Sequence, residues 1–312
     1  YSNSHHLYDA HIATYIVLLT CINFKYLYFI IMLVWYLSIC AANIVLIVVI
    51  YVDKRLHEPM YILLCNLFVN EIGGSTSLYP LMLSQMFSDT HEVTLPWCFL
   101  QMCYIYTCAS VEFCSLAAMA YDRYVAICDP LHYSVIMNTG RVCIIILIVW
   151  MYSFVNCIFS FSLVIRLRFC GNVIDKVFCH HHLVIKLACS ASVLNQMSDL
   201  LFAFMTIVIP FTFISVSYMK ILAVCLKTCK ENKQKAVSTC TPQIVSLSNL
   251  FVGAIFHIII DSRLDVPNVP DKVRIILSMY LLLCQPMITP FMYGFNLPKI
   301  KESCKRYLFN RK

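Results

Sequence analysis

Five stretches of the chain run the length of a bilayer without one Asp, Glu, Lys or Arg: Tyr26 to Val52, Val142 to Ile165, Leu200 to Met219, Ala236 to Ile260 and Ile275 to Leu297. About 20 residues of helix cross about 30 Å of hydrocarbon, so each is long enough to span. Two further windows, Pro59 to Ser88 and Val93 to Tyr121, are apolar apart from one carboxylate each, Glu71 and Glu112. A bundle interior tolerates such a group where lipid does not, and the count predicts seven spans. A membrane barrel needs apolar and polar residues to alternate over segments of about ten, whereas Ile144 to Val149 is apolar throughout. The expected class is therefore an all-α membrane protein, a seven-transmembrane helix bundle. Composition agrees: 61% of the 312 residues are hydrophobic and 12% are charged, against about 25% charged in soluble domains. That balance excludes a soluble globular enzyme. Charges this sparse form no dense basic stripe, which excludes nucleic acid as a partner.

The spans are expected at about 26–52, 59–86, 97–127, 141–165, 196–225, 236–261 and 272–296 of a single domain covering 1–312. Residues 1–25 precede them, and 297–312 form a tail that carries a short amphipathic helix. About 15 of the Lys and Arg residues fall on the side of the tail; positive residues favour the cytoplasm, so the C-terminus is expected inside and the N-terminus outside. The densest clusters, Lys227, Lys230, Lys233 and Lys235, then Lys299, Lys301, Lys305 and Arg306, suit anionic membrane lipid. The N-terminal stretch lacks a basic region and a small-residue cleavage site, so the first helix is expected to act as its own insertion signal. Most of the 18 Cys lie in apolar windows as small hydrophobes. Cys98, Cys170, Cys179 and Cys189 are the ones expected outside, where three pairings are open. His180, His181 and His182 follow Cys179, but three consecutive side chains cannot all point at one ion, and no metal site is assigned to them.

The run MAYDRYVAICDPLHY, Met119 to Tyr133, closes the third span, and LHEPMY stands at Leu56 to Tyr61. With KAVSTCTPQI from Lys235 and PMITPFMYGF from Pro286, these motifs resemble the odorant receptor family of class A, rhodopsin-like G-protein-coupled receptors, teleost-type in flavour. The resemblance runs from the first helix to the tail. It implies a non-enzymatic receptor of the plasma membrane that binds a small odorant and activates a heterotrimeric G protein of the olfactory Gs type, raising cAMP. It also implies the pairings Cys98 with Cys179 and Cys170 with Cys189. Two positions depart from the family: Thr289 stands where Asn is usual, and Gln243 where His is usual. Both concern activation rather than fold.

Arg123 is unfavourable to bury unless paired, and Asp122 is its neighbour, so a resting ion lock is expected. The resemblance implies that activation frees Arg123 to meet the G protein and Tyr218, with Tyr124, Lys235 and Tyr293 as further coupling residues. Above Arg123, the positions Met119, Leu116, Glu112, Ala109, Tyr106, Ile105 and Met102 recur at three and four, one face of one helix. Two buried carboxylates, Glu71 and Glu112, cannot easily both be charged; they must share a proton, hold a cation such as sodium, or enlist water and Asn43. A site of sodium and water that stabilises the resting state is expected, and no other cofactor.

By position, the odorant is expected between the third, fifth and sixth spans. The predicted wall is Met102, Ile105, Tyr106, Ala109 and Ser110, with Phe202, Ala203 and Thr206, and with Ala254, Ile255 and Ile258. Such a lining, apolar with a few hydroxyls, suits a small, weakly polar ligand. No Lys stands in Ile275 to Leu297 for a retinal Schiff base, and Ile105 takes the place where amine receptors carry Asp. A non-olfactory or weakly coupling receptor is the alternative within the class. A transporter or channel would show repeated halves or rings of pore charge, and neither is present in the sequence.

Overall fold

The computed structural model describes residues 22–87, 92–165, 173–175, 201–227, 240–241, 243–254 and 271–309. Helix α1 covers Ile22–Val52, α2 Pro59–Gln85, α3 Leu95–Cys128 and α4 Thr139–Ile165. A π-helical turn, Phe204–Val208, leads into α5, Ile209–Leu226. An apolar helix α6 occupies Gln243–Ala254, α7 covers Asp271–Asn296, and α8, Pro298–Cys304, completes the series with a further π turn at Lys305–Phe309. Among the described residues the only sheet is a pair of short antiparallel strands, β1 (Glu92–Thr94) and β2 (Val173–Asp175), in register Glu92 with Asp175 and Val93 with Ile174.

Large apolar side chains stand on the surface as well as in the interior. On α4, Ile144, Leu147, Ile148, Met151, Phe154, Val155 and Ile158 are exposed, an outward stripe that only lipid can cover. Among the described residues four helices are long and apolar enough to cross a membrane by length and composition: Tyr26–Val52, Pro96–Cys128, Thr139–Ser162 and Leu201–Leu226. Helix α2 is more polar because it carries Asn66, Asn70, Glu71 and the Gly73-Gly74-Ser75-Thr76-Ser77 run, of which Asn70, Glu71 and Ser75 are buried in the bundle. At Gly73 an added Cβ would lie 2.7 Å from the Tyr104 hydroxyl, so α2 and α3 approach closely there.

Helix α3 is the hub, packing against α2, α4 and α5. Around its Arg123 end the main core gathers Leu46, Leu63, Leu67, Phe68, Leu116, Met119, Ile214, Tyr293 and Ile300. Polar side chains tie the helices in the same layer. Asn66 of α2 donates to Ser115 Oγ of α3 at 3.0 Å and accepts from the Trp150 indole of α4 at 2.8 Å. Asn70 donates to the Cys108 carbonyl at 3.0 Å.

Two prolines explain two more ties. Pro210 has no N–H, so in the π register the Met205 carbonyl loses its partner. The Tyr152 hydroxyl of α4 donates to that carbonyl at 2.9 Å, and Asn156 donates to Thr206 Oγ1 at 3.1 Å. Pro290 likewise leaves the Pro286 carbonyl without its helical donor. Asn43 of α1 fills that role at 3.1 Å.

At the Arg123 end of the bundle, Asp53 receives Arg55 Nη2 at 2.8 Å and the Ser303 hydroxyl of α8 at 2.6 Å. The Arg55 guanidinium, helped by Ser303, holds this carboxyl well below the usual carboxylate range. Lys299 of α8 pairs with Glu58 at 2.6 Å. Leu297 and Ile300 are buried beneath this layer, so α8 is docked by both apolar and ionic contacts.

Candidate functional site

The expected pairing of Arg123 with Asp122 is present. Arg123 reaches Asp122 Oδ2 through Nε at 2.9 Å and Nη2 at 2.5 Å. Asp122 is 0% exposed, and its second oxygen accepts the Tyr133 hydroxyl at 2.9 Å. Tyr133 opens a short helical turn, Tyr133–Ile136, which carries its ring back under α3. Both carboxylate oxygens of a fully buried Asp are thus satisfied, which a buried charge requires. The part played by Tyr133 lay in the sequence motif but its role as a donor did not.

Higher on α3, polar side chains from four helices meet. Glu71 and Glu112 are 4% and 8% exposed and lie side by side. Thr289 donates to Glu71 Oε1 at 3.0 Å, and Gln285 Nε2 donates to Glu112 Oε1 at 2.8 Å. Asn249 of α6 donates to Gln285 Oε1. Sequence reasoning missed Gln285 and Asn249; the available signal was simply an amide standing in an otherwise charge-free apolar window. Thr289, read as a departure from the family, is here a direct partner of Glu71. Asn43 bonds the Ile39 and Pro286 carbonyls, so it joins α1 to the kink of α7 beside this cluster. Its Oδ1, and Ser75 Oγ one turn from Glu71, have no hydrogen-bond partner among the described residues. Each is a buried oxygen of the kind that an ordered water satisfies.

Gln243, the second departure, donates to the Leu116 carbonyl of α3 at 2.8 Å and so ties α6 to the hub. Tyr218 is packed with Ile221, Cys225, Cys240 and Tyr124, near the Arg123 end. The Lys220 ammonium stands 5.2 Å above the Tyr124 ring. Tyr293 is buried in the main core. Lys235 lies outside the described residues.

Of the predicted ligand wall, Met102 and Ser110 are fully buried, and Ile105 packs with Ile39, Leu78 and Tyr79. Tyr106 meets the Phe202 ring at 5.4 Å and that of Phe161 at 5.9 Å, bringing α3, α4 and the entry to α5 together. Phe161 was not among the predicted residues. Ala109 and Ala203 are half-buried, Ala254 is buried in the core, and the Thr206 hydroxyl is engaged by Asn156 of α4. Phe211 of α5 stacks on Phe251 of α6 at 4.7 Å. Ile255 and Ile258 lie outside the described residues. Cys98 is disulfide-bonded, while Cys170, Cys179 and Cys189 lie outside the described residues. Among the described residues no group of three or more His, Cys, Asp or Glu could hold a metal.

Comparison with known proteins agrees with this geometry. The olfactory receptor family profile matches residues 31–311. Olfactory receptor 1E16 of Mus musculus is 32% identical over 289 residues, covering 92% of this chain and 90% of the relative. Olfactory receptor 7G2 of Homo sapiens is 35% identical over 275 residues, covering 88% and 84%. Among solved structures, squid rhodopsin superposes with a TM-score of 0.74 at 16% identity, over 92% of this chain and 85% of that one, and shares the fold. With that helical bundle, the Asp122–Arg123 lock and a match running almost from end to end, the chain belongs to the olfactory receptor family of class A G-protein-coupled receptors, multi-pass proteins of the plasma membrane.

Proposed function

We propose that this receptor binds a small, weakly polar odorant among α3, α5 and α6 and passes the event to an olfactory Gs-type protein, raising cAMP. The Cys98 end faces outside with the N-terminus; the Arg123 end, α8 and the C-terminus face the cytoplasm. One observation carries this reading: buried polar contacts lie along α3 from beneath the candidate wall to the Arg123 lock. Tyr106 and Ser110 belong to the candidate wall; Glu112 lies six and two residues further along α3, then the Gln243 bond to Leu116, and finally Asp122 with Arg123 and Tyr133. A ligand that favours a different spacing of α3, α5 and α6 acts on this column by differential affinity for two packings. Loss of the Gln243 tie frees α6, and loss of the Asp122 contact turns the Arg123 guanidinium toward the G protein and Tyr218. In the resting state Glu71, Glu112 and Asn43 would hold a sodium ion with water, the ion supplying positive charge between the two acids.

The test is an odorant screen in cells co-expressing the olfactory G protein, read as cAMP, with Arg123→Ala at matched surface level. A dose-dependent rise that disappears in Arg123→Ala is the expected result. A response that survives the substitution refutes the switch. Epitopes on the two termini, probed in intact and permeabilised cells, check the orientation separately.

A further inference from the structure

We propose that Cys103 of α3 and Cys157 of α4 form a peroxide-oxidisable thiol pair that closes to a disulfide between those helices. Both are free thiols, and their sulfurs are 3.2 Å apart in hydrogen-bonding contact. Closing to a bond needs an approach of about 1 Å, within the reach of small χ1 rotations. Cys157 is fully buried and also hydrogen-bonds the Cys103 carbonyl at 3.3 Å, whereas Cys103 is partly exposed. The pair therefore sets a partly exposed thiol against a resolving thiol fixed beside it, the arrangement in which a sulfenic acid is captured as a disulfide.

The chemistry balances with hydrogen peroxide as oxidant. Cys103 sulfur attacks the peroxide, the O–O bond breaks, and one water leaves as Cys103 becomes a sulfenic acid. Cys157 sulfur then attacks that sulfur, the S–S bond forms, and a second water leaves. Two thiols lose two electrons and two protons, and hydrogen peroxide is reduced to two waters. Cys103 lies five residues along α3 from Cys98, about 7.5 Å along the helix axis, near the end already carrying a disulfide. The adjoining turns hold the Tyr106–Phe161 ring contact, so the cross-link pins α3 to α4 beside the candidate ligand wall.

Full-length receptor in native membranes is titrated with hydrogen peroxide, alkylated, digested without reduction and mapped by mass spectrometry. A Cys103–Cys157 linked peptide pair, two hydrogens lighter than its parts and lost on reduction, is the expected product. In Cys157→Ser the pair is lost and Cys103 sulfenic acid is trapped by dimedone in several-fold greater yield than in wild type, with surface expression and the Cys98 bridge unchanged. Absence of the linked pair in wild type, or equal dimedone trapping of Cys103 in both proteins, overturns the proposal.

Discussion

Replacing Tyr133 by Phe removes one hydroxyl and keeps the ring that packs against the core. In the wild type that hydroxyl donates to Asp122 at 2.9 Å, and Asp122 is otherwise held only by Arg123 among the described contacts. A hydrogen bond to a charged group contributes about 1.5–3 kcal/mol. The contact belongs to the resting packing, because the proposed active arrangement separates Arg123 from Asp122. Its loss therefore shifts the resting-to-active equilibrium about 10- to 100-fold, and a receptor active about 0.1% of the time becomes active about 1–10% of the time. The assay is cAMP without odorant in cells carrying the olfactory G protein, normalised to surface receptor. Asp122→Asn serves as a positive control for loosening and Arg123→Ala as the silent control. If Tyr133→Phe leaves basal cAMP at the wild-type level or below it while Asp122→Asn raises it, the hydroxyl does not restrain the switch and the reasoning fails.

Glu112→Gln is expected to raise basal signalling and to abolish its dependence on sodium concentration; equal responses to sodium in both proteins would remove the ion from the scheme. Tyr152→Phe leaves the Met205 carbonyl unpaired, a loss of about 1–3 kcal/mol seen as a lower Tm in detergent. In a Pro210→Ala background, where the helix regains a donor, the same substitution should be nearly silent, and equal losses in both backgrounds would contradict the proline account. For Asp53 the folded carboxyl titrates below its unfolded value of about 4, so its stabilisation is full above that pH and fades as pH falls through the lowered value. The Tm gap between wild type and Asp53→Asn should thus be constant near neutrality and narrow below about pH 4; a gap that widens in acid would show the opposite linkage.

Helix positions were legible because apolarity over a span's length is a property of consecutive residues. The expected start of the first span at residue 26 and the observed start of α1 at Ile22 differ by less than a turn and a half, and α4 begins at Thr139 where 141 was expected. The Asp122–Arg123 pair was also legible, since adjacent residues need no knowledge of the fold to meet. Harder to see were Tyr133 as its third member, and Gln285 and Asn249 in the mid-bundle cluster. Gln285 and Asn249 pair across long stretches of chain, 173 positions separating Gln285 from Glu112, and Tyr133, 11 positions from Asp122, returns to it only through the turn that follows α3. The β1–β2 pair was likewise silent in the sequence, because strands of three residues carry too little alternation to stand out.

Thr289 and Gln243 show most clearly where the division falls. From the residues alone they are two departures from a family pattern, with consequences for activation but no contacts. In the folded protein Thr289 is a donor to Glu71 and Gln243 a donor to the Leu116 carbonyl, each joining two helices. Local chemistry dictated a lipid-embedded helical bundle with two acids inside it and an Asp122–Arg123 pair at one end, since the transfer of each helix into lipid depends only on its own residues. Which amide or hydroxyl answers each buried acid, and which neighbour takes up a carbonyl left bare by proline, was decided only when the helices packed. Those partners come from different helices, and hydrocarbon offers no water to stand in for them.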